Sequence, residues 1–136
     1  MTPTEFVKTI YLGDRYCLGI LIDSINNLLK IQVNEISRIR DKSGIWNFYN
    51  DENIPNGYLV FFAIEQVQFL PNFVIPNDQI EIKECQKIVA SDDKYIFKVV
   101  MLSVDENGIT TEMEVLIKAK GLYLLNPLKP NEMITN

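Results

Sequence analysis

The stretch Tyr58–Phe69, Tyr-Leu-Val-Phe-Phe-Ala-Ile-Glu-Gln-Val-Gln-Phe, constrains the fold of this chain more than any other. It is rich in aromatic and β-branched residues, and Pro55-Asn56-Gly57 and Pro71-Asn72 punctuate its ends, so it reads as a strand. Its first half is apolar on both faces, with Leu59, Phe61 and Ala63 on one and Tyr58, Val60, Phe62 and Ile64 on the other. Its second half alternates, Val67 and Phe69 against Gln66 and Gln68. A strand covered on both faces at one end and half wet at the other belongs inside a sheet. The sequence therefore predicts a central strand over 58–69 whose character changes at Ile64-Glu65.

Hairpins surround it. Tyr16–Ser24 and Leu28–Glu35 flank Asn26-Asn27, and asparagine tolerates the positive φ of a tight turn. That turn predicts that Leu18, Ile20 and Ile22 share an apolar face with Leu29, Ile31 and Val33, leaving Cys17, Gly19 and Leu21 outside. Asn107-Gly108 joins Tyr95–Val104 to Ile109–Lys120 as a second hairpin. A two- or four-residue loop there puts Ile96, Val100, Leu102 and Val104 on the face of Met113, Val115, Ile117 and Ala119, with Lys98 as the exception at its rim. Residues 79–90 suit a helix stripe or a strand, and the turn Ser91-Asp92-Asp93-Lys94 favours the strand. Residues 1–5 read as a loose lead-in, Phe6–Leu12 as a short strand or one helical turn, and 126–136 as a polar tail. The expected fold is all-β or strongly β-dominated, its mostly antiparallel hairpins forming a sandwich or partly open barrel over a single domain, 1–136.

Composition narrows function by exclusion. The chain has no histidine, which removes the usual general base at neutral pH and the commonest metal ligand. Cys17 and Cys85 lack metal spacing and read as reduced, buried or half-buried thiols. No apolar run is long enough to span a bilayer and no export signal is visible, so a cytoplasmic location without membrane contact is expected. Net charge is −5; residues 1–50 hold six Lys/Arg against five Asp/Glu, and residues 51–136 seven against thirteen. Such an acidic half repels phosphate backbones, so nucleic acid is not an expected partner; Arg38, Arg40 and Lys42, with Asp41 among them, read as a solvated strand end. No phosphate loop, dinucleotide fingerprint or nucleophile elbow is present, and no cofactor is expected.

Four constellations are candidates for a site. Trp46, Phe48 and Tyr49 precede a polar turn at Asn50–Gly57; with Trp46 and Phe48 inward, Tyr49 and the loop read as the rim of an interaction site, or Trp46 reads as a plug of the core. Asp51, Glu52 and Asp78, with Asp92, Asp93, Asp105 and Glu106 at other turns, do not complete calcium-loop spacing and read as turn formers. Glu65 lies mid-strand among apolar neighbours, so it is either a buried acid needing a cation or the point where the strand meets water. Tyr11-Leu12-Gly13-Asp14-Arg15 is a turn with a carboxylate beside an arginine.

Tyr11-Leu-Gly-Asp-Arg, Ile20-Leu-Ile-Asp23, Ile36-Ser-Arg-Ile-Arg40, Ser43-Gly-Ile-Trp46 with Tyr49, and Ile75-Pro-Asn-Asp78, in that order, resemble a family of small uncharacterised bacterial proteins. The resemblance covers roughly residues 6–80 and implies a bacterial accessory protein, with no activity, cofactor or catalytic residue attached. Two function classes stand open. One is a non-catalytic binding domain using Trp46, Tyr49, Asp51 and Glu52, in one version an immunity-type protein whose acidic surface masks a basic toxin. The alternative is a small carboxylate-dependent enzyme or ligand carrier using Glu65 with Asp51 or Asp78. Self-association through an edge strand is compatible with the first.

Overall fold

The computed structural model describes every residue except Asn50, Asn72, Phe73 and Asp92. One helical turn, α1 (Pro3–Val7), precedes β1 (Ile10–Tyr11), β2 (Cys17–Asp23), β3 (Leu28–Val33), β4 (Glu35–Arg38), β5 (Asn53–Pro55) and β6 (Tyr58–Phe62). There follow β7 (Gln66–Leu70), β8 (Ile80–Lys87), β9 (Tyr95–Val104), β10 (Thr110–Ala119), β11 (Gly121–Leu125) and β12 (Met133–Ile134). They form a five-stranded sheet in the order β12-β11-β6-β3-β2, a four-stranded sheet β7-β10-β9-β8 and a small sheet β1-β4-β5, every pairing antiparallel. The fold is thus strongly β-dominated and sandwich-like, with the sheets not closed into a barrel. The lead-in is ordered: Thr2 caps α1 and exchanges backbone and side-chain bonds with Glu5.

The stretch 58–69 is two strands in two sheets. β6 lies in the interior of the five-stranded sheet, and β7 forms an edge of the four-stranded one. Ala63 takes a φ of 50°, which no β-strand residue adopts, and the chain turns a corner there. The partner strand turns with it, because β6 pairs with β11 and β7 with β10. Between Phe62↔Gly121 and Gln66↔Lys118, residues 63–65 lie opposite residues 119–120, so one extra residue makes the bend. The change of character at Ile64-Glu65 marks that corner. Glu65 N–H donates to the Lys118 carbonyl at 2.8 Å, and Lys120 N–H to that of Phe62 at 3.2 Å.

The core lies between the two large sheets, where Phe61 on β6 meets Phe97 on β9 edge to face, 5.1 Å between ring centres. Two expected faces are corrected. In β9 the core residues are Phe97, Val99 and Met101, paired with Ile117, Val115 and Met113, rather than Ile96, Val100, Leu102 and Val104. The hairpin loop is five residues long, closed by Asp105 N–H donating to the Ile109 carbonyl, and an odd loop shifts the register by one and turns one strand over. Lys98 then sits on the outer face, where it pairs with Glu114 at 3.4 Å. In β2 a register shift between Cys17 and Gly19 sends Cys17 into the core and Leu18 outward, while Ile20 and Ile22 keep their expected partners Ile31 and Leu29. The strand over 80–87 and the apolar segment after Gly121 are as expected.

Candidate functional site

β3 and β4 form one ladder with β6 and β5, kinked at Asn34 and Asn56 but unbroken in register, since Gln32 faces Tyr58 and Glu35 faces Pro55. Residues 39–52 are the loop at the tip of that long hairpin. Part of the expected polar turn, 53–55, is instead strand, and Asn50 lies outside the described residues. Asp51 fastens the loop: its carboxylate accepts from the Arg40 N–H at 2.9 Å and the Asn47 N–H at 2.6 Å. Asp51 N–H in turn donates to the Asn47 carbonyl at 2.9 Å. Both oxygens of Asp51 are therefore committed to holding its own loop.

Beneath the loop lies an arginine cluster. Arg38 is fully buried; it donates to Glu52 at 3.2 Å and to Thr9 Oγ1 at 2.8 Å, and it lies 5.2 Å from the centre of the Phe6 ring. Arg40 pairs with the same Glu52 oxygen. Burial pushes the Arg38 guanidinium down to about 10 and Arg40 pushes the same way, while Glu52 pulls it back up, so Arg38 stays charged at neutral pH. Arg15 donates to Ser37 Oγ at 2.8 Å and pairs with Glu35 at 3.1 Å; Ser37 in turn donates to Asn53 Oδ1 at 2.6 Å.

The aromatic residues stand on this cluster. Trp46 stacks on Tyr11 with ring centres 4.7 Å apart, and Arg15 lies over both rings at 5.7 and 5.9 Å. Gly13 leaves room for the Tyr11 ring, which a Cβ at that position would strike. Trp46 is half-buried outside the main core, so it anchors the loop rather than plugging the sandwich. Phe48 meets Trp46 edge to face at 5.7 Å, and Tyr49 meets Phe48 at 5.6 Å. Ile45, Phe48 and Tyr49 are 70%, 62% and 90% exposed. The result is a row of large apolar side chains in water on a loop pinned at both ends.

Trp46, Tyr49, Asp51 and Glu52 are thus brought together in one hairpin tip. Glu65 and Asp78 are elsewhere. Glu65 is exposed at the β6–β7 corner, 3.3 Å from Lys118 and 4.0 Å from Lys94. Asp78 uses its backbone, accepting from the Cys17 N–H and donating to the Leu102 carbonyl. Asp105 is a turn former, accepting from the Asn107 and Ile109 N–H groups, and Asp92 lies outside the described residues. Arg15 was expected only as the arginine of a turn beside Asp14, and Arg38 as part of a solvated strand end; Arg38 is instead buried, its guanidinium turned inward onto Phe6, Thr9 and Glu52. The signal for Arg38 is its place in Ile36-Ser-Arg-Ile-Arg, where strand alternation puts Ile36 and Arg38 on one face.

Carboxylates also lie on the four-stranded sheet, where Glu114 is paired with Lys98. Glu81, Val100 and Glu114 lie side by side across β8, β9 and β10. Nearby, a cleft of about 590 Å³ is lined by Val7, Ile10, Leu12 and Ile82 together with Asp14, Glu81 and Glu112. Among the described residues no group of three or more Cys, Asp or Glu side chains is placed to hold a metal ion, and no helix is long and apolar enough to cross a membrane.

No curated protein and no solved structure matches this chain. One family model does, and over its whole length. With residues 1–136 matched, the chain belongs to the Family of unknown function (DUF6258).

Proposed function

We propose that this chain is a non-catalytic binding domain that holds a protein partner through the aromatic hairpin tip at 45–49. The observation that carries the reading is the exposure of Ile45, Phe48 and Tyr49 on a loop fastened by Asp51 and by the Tyr11–Trp46–Arg15 stack. Rigid aromatic side chains contribute contact area at low entropic cost, and fastening the loop in advance lowers that cost further. A basic partner surface fits the net charge of −5 and the cleft whose charged lining is wholly carboxylate. In a bacterial cell, the setting the motif resemblance implies, the specific version is an immunity-type protein that masks a basic toxin. Self-association through an edge strand is compatible with this reading, since the sheets have open edges.

The test is titration calorimetry against the partner recovered by affinity capture from the source cell. Tyr49→Ala and Phe48→Ala should each weaken binding by at least about tenfold, the loss of a centrally placed interface aromatic. Glu65→Gln should leave it unchanged. Unaltered affinity in both aromatic variants, with the fold intact by circular dichroism, would remove the hairpin tip as the contact.

A further inference from the structure

The edges of the two large sheets are not equally defended. β8 carries Glu81, Lys83, Glu84 and Lys87 in solvent, has a register shift between Ile82 and Glu84, and is met by α1, where Thr4 Oγ1 lies 3.8 Å from Cys85 Sγ. β7 presents Gln66 and Gln68 and ends at Pro71, and β12 is two residues long. These are the usual protections against edge-to-edge pairing. β2 lacks them. Its sequence Cys-Leu-Gly-Ile-Leu-Ile-Asp has a single charge, at its last residue. Leu18, Leu21 and Ile22 are 46%, 53% and 57% exposed, and Ile25 stands almost free in the following turn.

The open backbone groups of β2 can be assigned. Val33 N–H donates to the Gly57 carbonyl, so Val33, Ile31 and Leu29 direct their main-chain groups toward β6, and the alternate residues of β3 direct theirs toward β2. Ile20 and Ile22 face Ile31 and Leu29 across the ladder, so their own N–H and C=O groups point away from β3. The main-chain N–H of Cys17, whose side chain is in the core, also points away from β3 but is already taken by the Asp78 carbonyl at 3.0 Å, and Tyr16 bridges to Gln79. Among the described residues nothing takes the groups of Ile20 and Ile22.

We infer that β2 is a self-pairing edge, and that a second copy of this chain adds to it antiparallel about a two-fold axis beside Leu21. In that register Ile20 faces the partner's Ile22 and gains about four main-chain hydrogen bonds per pair of copies. Leu21 meets the partner's Leu21 at the non-hydrogen-bonded position, where side chains approach most closely. The strand is self-complementary in that register, which selects a second copy as the occupant, and charge selects the place: two copies of net charge −5 repel overall, but here Asp23 meets the partner's Gly19 and no carboxylate meets another. The two five-stranded sheets become one continuous sheet. The hairpin tip at 45–49 takes no part, so this pairing and the proposed partner contact stand or fall separately.

Sedimentation equilibrium on the full chain tests it. A reversible dimer should form with rising concentration, and Ile22→Lys, which places a cation opposite the partner's Ile20, should raise its dissociation constant by at least about tenfold. Leu21→Cys, made with Cys85→Ser, should give a disulfide-linked dimer in air, because Cα atoms at a non-hydrogen-bonded pair lie about 4.5 Å apart, within disulfide reach. A chain that stays monomeric at high concentration overturns the inference. So does a dimer that Ile22→Lys leaves intact, or a Leu21→Cys chain that does not cross-link.

Discussion

Arg38 shows how much of this protein's order rests on one charge. It has no exposed surface, and its ionic partner Glu52 is half in water. Removing the cation and its bulk together leaves a void against Phe6, whereas an apolar side chain of similar length fills the space and needs no partner. Arg38→Ala should therefore cost about 3 kcal/mol in urea unfolding and Arg38→Met less than about 1.5 kcal/mol. Equal losses would mean that the charge, rather than the packing, carries the stability. Glu52→Ala removes a counter-charge from a guanidinium already disfavoured by burial and by Arg40, so its cost should exceed that of an ordinary exposed pair, about 1 kcal/mol at most.

At the scale of elements, the corner between β6 and β7 is the feature with a local conformational cost. Ala63 holds a left-handed φ that L-residues adopt only at a cost of about 1–2 kcal/mol, part of which glycine recovers. Ala63→Gly should raise the urea midpoint by the equivalent of about 0.5–1 kcal/mol, and Ala63→Val should lower it. A lower midpoint for the glycine variant would place the strain elsewhere. The same corner explains what the sequence conveyed and what it hid. Aromatic and β-branched runs identified the long strands, and Asn27, at a φ of 52°, marked its turn, whereas β5 and β12 lie in segments expected to be a polar turn and a polar tail. Alternation could not say that one run serves two sheets, because Leu59, Phe61, Val67 and Phe69 keep one parity through the corner. Nor could it fix the face of β9, whose two sides are almost equally apolar; only Lys98, out of place in the expected core, pointed the other way. In the site, Tyr49 was legible as an exposed rim aromatic, whereas Trp46 and Phe48 were expected to face inward, and Trp46 is half-buried on Tyr11 while Phe48 is exposed. The buttress below them was not legible, because Tyr11, Arg15 and Arg38 are joined to Trp46 and Glu52 only by folding.

For the whole molecule, the two thiols report on cooperativity. Burial raises both: Cys17 is opposed by a contact to the Gly19 carbonyl, and Cys85 by one to Thr4. The unfolded chain loses these protons near the ordinary value of 9.0, while the folded chain keeps them to higher pH. Between those limits the folded state binds more protons, so this contribution to stability is present below pH 9.0 and is lost as pH rises through the folded values. Alkylation by iodoacetamide should accordingly be slow at neutral pH, slower for Cys17 than for the half-exposed Cys85, with Cys17 reacting only as the Trp46 fluorescence reports unfolding. Fast labelling of Cys17 in the native state would contradict its place in the core. The shared corner makes such all-or-none behaviour a matter of covalent wiring. β6 continues into β7 and β10 into β11, each passing from one large sheet to the other. No plane of separation between the sheets avoids cutting both of these crossings, so neither sheet can be trimmed away as an independent unit.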